Sequence, residues 1–87
     1  MKPSKRQQIK AAMQPVMSKW IKQTRISLCL TQEQMARRYG MAVRSYIDLE
    51  HGTCFPSATT FAQLLTTLNK GAVSEMLEEL KKAMEHL

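Results

Sequence analysis

The stretch LTQEQMARRYGMAVRSYIDLEHG, residues 30–52, decides how this chain folds. Thr31 is a good helix N-cap, and Gln34 stands three residues later, the spacing of a capping box. Leu30 before the cap and Met35 four residues after it suit a hydrophobic staple. Met35, Ala36 and Tyr39 share one helical face, with Arg37 and Arg38 on the outer one. Gly40 fits a left-handed helix stop. The spacing thus predicts a helix of about two turns, a tight turn with Met41 plugged into the core, and a second short helix over 42–50 closed by Gly52. That second helix has only Tyr46 and Leu49 to bury. A period of about 3.6 residues puts Arg44, Ile47 and Asp48 on one outer face, with Val43 beside Ile47. So few anchors leave a mixed set of side chains free to meet something outside the core.

The flanking segments complete a helical domain. Pro15 suits the first turn of a helix, and Val16, Met17, Trp20, Ile21 and Thr24 give its inner stripe, ending near Leu28. Residues 1–13 are rich in Lys and Gln and read as a basic arm or as an extension of that helix, fraying at its beginning. After Gly52, TCFPS is a loop in which Pro56 biases Phe55 to an extended conformation. Ser57 caps a fourth helix with Ala58, Phe61, Leu64, Leu65 and Leu68 inward, ending by Gly71. A fifth helix follows over 72–87, with Ser74 as candidate cap. Its acids lie early and Lys81 and Lys82 late, the favourable sense for the helix dipole. No strand pattern survives. The expectation is a compact all-α domain of five helices, divided into the N-terminal segment 1–13, a core domain 14–71 and a C-terminal amphipathic helix 72–87.

At 87 residues the chain has room for one modest core. No apolar run approaches the length of a membrane span, and no apolar stretch follows the basic N-terminus as a secretory signal requires. A cytoplasmic protein without membrane contact is the expectation. Cys29 and Cys54 are too few for a disulfide framework and are expected to be reduced, buried or half-buried thiols. The seven methionines read as adaptable core filling. Charge is more telling than composition. Residues 1–55 hold ten Lys and Arg against three acids, net +7, and residues 56–87 are net −1. A segregated basic region is the electrostatic footprint of a polyanion binder.

Two short helices about a tight turn, closed by flanking helices, make the helix-turn-helix plan, whose second helix enters the DNA major groove. Residues 21–68 resemble the Cro/repressor-type helix-turn-helix domain, the XRE family with its lambda-repressor-like fold. The resemblance is carried by Arg25, LTQEQMARRYGM at 30–41, SYIDLEHG at 45–52 and PSATTFAQLLTTL at 56–68. It implies that Val43, Arg44 and Asp48, with Ile47 nearby, read base edges. It implies that Gln32, Ser45, His51 and Thr53 touch the DNA backbone, and that Arg25 and Glu50 form a structural ion pair tying the first helix to the third. Arg37 and Arg38 are either a solvated face or phosphate contacts, and Lys2, Lys5, Arg6 and Lys10 either wrap DNA as an arm or are disordered. One position departs from the family: Ala42 stands where Ser or Thr often caps the reading helix. Val43 is limited to apolar contact, for instance with a thymine methyl. Arg44 is suited to a guanine or a phosphate. Asp48 is suited to orienting Arg44 at i,i+4 or to excluding wrong bases.

Other chemistry is poorly represented. His51 and Cys54 have an H-x-x-C spacing, but zinc needs two more ligands, and only Cys29 and His86 remain, both remote. No metal, cofactor or enzyme activity is expected, since paired carboxylates, phosphate loops and nucleophile–base pairs are all lacking. In the fifth helix, Val73, Leu77, Leu80, Met84 and Leu87 follow the 4-3-4-3 spacing of a coiled-coil seam, and dimerisation through it is the expectation. Two function classes result. The first is a sequence-specific transcriptional regulator, a repressor acting as a homodimer on a palindromic operator in double-stranded DNA. The second is an antitoxin-like or adaptor module whose main partner is another protein, bound at the C-terminal helix or at a groove around Trp20.

Overall fold

The computed structural model describes every residue except Met1 and His86. The described residues form five helices: α1 (Lys5–Ser27), α2 (Gln32–Tyr39), α3 (Val43–His51), α4 (Ala58–Thr67) and α5 (Lys70–Met84). The fold class is all-α, as the periodicity requires.

Of the two readings of residues 1–13, the structure shows the helix extension. α1 begins at Lys5, so most of 1–13 is helix rather than arm, and Pro15 lies inside it. The cap is Ser4, whose hydroxyl accepts from the Gln7 N–H while the Gln7 side chain accepts from the Ser4 N–H, a full capping box. Pro15 removes the bond that its N–H would make to the Ala11 carbonyl. Both residues lie on the exposed side of α1, where water can replace that bond.

α2 and α3 start and stop as expected. Thr31 and Gln34 form their capping box, and Gly40 and Gly52 end the two helices at φ 69° and 75°. Those left-handed values strain any residue with a Cβ. Cys29, in the α1–α2 turn, takes the same conformation at φ 58° without being glycine. Its side chain and that of Cys54 are exposed, not buried, because both sit in connecting turns outside the core.

Helix four stops at Thr67, before Gly71. Leu68 is extended, and Asn69, not Ser74, caps α5 by accepting from the Ala72 N–H at 2.8 Å. Gly71 therefore lies in the first turn of α5. On α4, Leu64 and Thr60 are buried, while Ala58 faces solvent.

Every helix contributes to one core: Met17, Trp20 and Ile21 from α1, Met35, Ala36 and Tyr39 from α2, Tyr46 and Leu49 from α3, Leu64 from α4, and Met76 and Leu80 from α5. Met17, Met35 and Met76 are among its most buried members, which fits the adaptable filling read from composition. α5 runs antiparallel along α1. Glu79 meets Lys19 at 2.7 Å and Trp20 Nε1 at 3.3 Å, and near the far end Lys5 donates to the main-chain oxygen of Leu87 at 2.9 Å. The Lys19 hydrogen bond is the main reason that the Glu79 carboxyl titrates below its ordinary range. α5 is thus part of this domain's own core. The expected coiled-coil seam is split by that packing: Leu80 is buried against the domain and Val73 is half-buried, whereas Leu77, Met84 and Leu87 are exposed.

Candidate nucleic-acid interface

α3 is held from behind. Tyr46 and Leu49 sink into the core, and the Tyr46 ring packs 6.1 Å from that of Tyr39 on α2, tilted by 57°. Neither tyrosine hydroxyl has a hydrogen-bond partner among the described residues. Burial, and then the nearby Glu50 carboxylate, push the Tyr46 phenol far above its ordinary pKa.

The buried Glu50 side chain, 2% exposed, locks α3 to α1. Arg25 donates to it twice, from Nε at 2.5 Å and from Nη2 at 3.2 Å, and gives Nη1 to the Leu30 carbonyl at 3.0 Å. Burial pushes the Glu50 carboxyl upward, but the hydrogen bonds to it and the Arg25 charge outweigh burial and hold it below the usual range. Gln32 Nε2 donates to the same carboxylate at 3.2 Å. The Gln32 amide, expected at the DNA backbone, is therefore already engaged in tying α2 to this pair.

The outward face is narrower than the period implied. Val43, Arg44 and Ser45 are exposed, with the Arg44 side chain at 88%. Ile47 and Asp48 are half-buried. Asp48 lies 3.9 Å from Arg44 Nε at i,i+4, a loose pair that orients the guanidinium without enclosing it. Arg37 and Arg38 are exposed on α2, and Arg37 shares a shallow recess with Met41, Ala42 and Val43 at the start of α3. His51 and Thr53 are exposed at the other end. The Thr53 hydroxyl donates to the Asp48 carbonyl at 3.1 Å, which closes the helix as well as facing outward.

Ala42 leaves α3 without a side-chain cap. The first N–H groups of the helix are therefore free to donate to an anion. Ala42 already has extended N-cap geometry, φ −66° and ψ 147°. Ala42→Ser is accordingly expected to raise stability by about 1 kcal/mol, read as an increase of about 4–8 °C in Tm. No rise in thermal scans would mean that these N–H groups are already satisfied in the free protein.

Among the described residues, no three His, Cys, Asp or Glu side chains gather to hold a metal, and His86 lies outside the described residues. No described helix is long and apolar enough to cross a membrane. Comparison of the chain with protein-family models, with curated proteins and with solved structures finds no match. What this surface does is then a matter of its own residues: a short helix, backed by the core, offering Arg44, Val43 and Ser45 beside the exposed Arg37 and Arg38 of α2.

Two structural contributors escaped the reading of the sequence. The Ser4–Gln7 capping box had a legible signature, Ser-x-x-Gln, ahead of a helical stretch. The role of Gln32 at Glu50 had none, because the two are 18 positions apart.

Proposed function

We propose that the chain is a sequence-specific DNA-binding regulator of the Cro/repressor helix-turn-helix kind, repressing by occupying a promoter. The observation that carries this reading is the exposed face of α3, with Arg44 standing in solvent while Tyr46, Leu49 and Glu50 fix the helix from behind. The excess of positive charge in residues 1–55 supports it, since phosphate neutralisation supplies salt-dependent affinity. Arg44 and Val43 then read base edges, and Arg37, Arg38, Ser45, His51 and Thr53 touch the backbone. A second copy would join through the exposed remainder of the α5 seam, Leu77, Met84 and Leu87, and set two reading helices about 34 Å apart on a palindrome. A cytoplasmic location follows from such a role.

Selection of bound duplexes from a random pool tests this directly. An enriched palindrome is expected. Arg44→Ala is expected to weaken the selected site by about 1–3 kcal/mol and to relax base choice at one position of each half-site. An unchanged binding profile would remove Arg44 from the reading face, and no enrichment would sink the proposal.

The protein-partner reading has one observation in its favour. A shallow groove beside Trp20 is lined by Gln23, Ser27, Leu68 and Ala72, and Ile26 is exposed on the same helix. Recovery of a stoichiometric small protein with the purified chain, together with absent duplex selection, would favour an antitoxin-like or adaptor role.

A further inference from the structure

The basic N-terminal part of α1 belongs to the same side of the molecule as the end of α3. Gln14 and Ser18 of α1 border a recess with His51 and Gly52. A Cβ built on Gly52 would stand 3.5 Å from Ser18 Oγ, so the turn that closes α3 rests directly on α1. One turn earlier, Arg6, Ile9, Lys10 and Met13 line a recess with Phe55, and Lys10 Nζ lies 5.9 Å over the Phe55 ring. The charge of Lys10 is also felt at Cys54, whose thiol is pushed up by burial and by Asp48 and drawn down by Lys10. The loop that follows the reading helix is therefore flanked by cations from α1.

Those cations are not neutralised by a carboxylate among the described residues. No acid occurs before Glu33. Lys19 is paired with Glu79, Arg25 with Glu50, and Lys5 with the Leu87 oxygen. Arg6 and Lys10 are exposed and have no carboxylate partner among the described residues. They stand at i and i+4 on one helix, so both heads lie on one face. The Ser4–Gln7 cap holds that turn in place, which spares the ordering cost that a disordered arm would meet on binding.

We infer that Arg6 and Lys10 form a built-in second contact to the phosphate backbone of duplex DNA, beside the groove that α3 enters. This rests on the reading of α3 given above. The two side chains add affinity and fix orientation, and they carry no sequence information, because phosphates are alike at every base pair.

The test compares wild type with the double variant Arg6→Gln/Lys10→Gln and with Lys81→Gln/Lys82→Gln as a charge-matched control on α5. Binding is measured from low to physiological salt, on the duplex enriched by selection and on a random-sequence duplex of equal length. Circular dichroism checks that each variant is folded. The Arg6/Lys10 variant is expected to reduce the salt slope by about 2, about one for each lost phosphate contact. At 0.1 M salt it should bind about ten- to a hundredfold more weakly on both duplexes, with the ratio between them kept. The α5 control should change the slope far less. If wild type selects a site but the Arg6/Lys10 variant keeps its salt slope, this inference is overturned and the role of α3 stands. If binding shows no sequence preference but loses slope in the variant, the backbone contact stands and base reading by α3 falls. If wild type binds neither duplex, both are overturned.

Discussion

Arg25→Ala is expected to lower the free energy of unfolding by about 3–5 kcal/mol, a large share of the total for a small domain. The substitution leaves the Glu50 carboxylate, 2% exposed, with Gln32 as its remaining hydrogen-bond donor by geometry. An unpaired buried charge costs far more than the pair contributes as a pair. Replacing both partners, as in Arg25→Met/Glu50→Leu, should recover much of the loss for the same reason. Urea unfolding of the three proteins measures this, and a loss below about 1 kcal/mol for Arg25→Ala would mean that the pair does not hold α1 to α3. The pair also predicts a pH dependence. The Glu50 carboxyl titrates lower in the folded chain than in the unfolded one. Its contribution is therefore complete above the unfolded carboxylate range, near pH ~4.3, and is lost as pH falls through the lower folded value. Glu50→Gln should flatten that acid limb and leave the rest of the profile in place.

The second large effect separates two roles within one helix. Leu80→Ala is expected to cost about 2–5 kcal/mol, because Leu80 is 8% exposed and its removal opens a cavity between α5 and α1. Leu77→Ala, at a position 48% exposed, should stay within about 0.5 kcal/mol when measured at a concentration where the chain sediments as a monomer. Its effect should appear instead in sedimentation at higher concentration, as weakened self-association. Equal losses of monomer stability at both positions would show that the split of the seam is wrong. A chain that stays monomeric with and without DNA would remove the second copy while leaving the α5–α1 packing untouched.

Arg25 and Leu80 mark the boundary of what can be read without a structure. The Arg25–Glu50 pair was expected from a resemblance of motifs, and its geometry agrees. Leu80 fell on a valid 4-3-4-3 pattern, but a pattern reports that a stripe is apolar and not which surface will cover it. The same limit explains Ile47 and Gln32. Helical period places Ile47 on an outer face, yet it is half-buried, and the Gln32 amide, which the motif resemblance assigns to the DNA backbone, is taken by Glu50.

What the sequence determined by itself was local. The Thr31–Gln34 capping box, the glycine stops at Gly40 and Gly52, the Ser57 cap and the Tyr46–Leu49 anchor all depend on residues within one or two turns of each other. The chemistry of neighbours is enough to set them, and it delivered the all-α class and the two short helices about a turn. Only the tertiary structure decided which apolar stripe faced which. It laid α5 along α1, took Gln32 to Glu50, left both cysteines in solvent, and brought Arg6 and Lys10 beside the loop that leaves α3. Those outcomes join positions 18 to 82 residues apart, and packing of one shared core selects among surfaces that periodicity alone leaves equivalent.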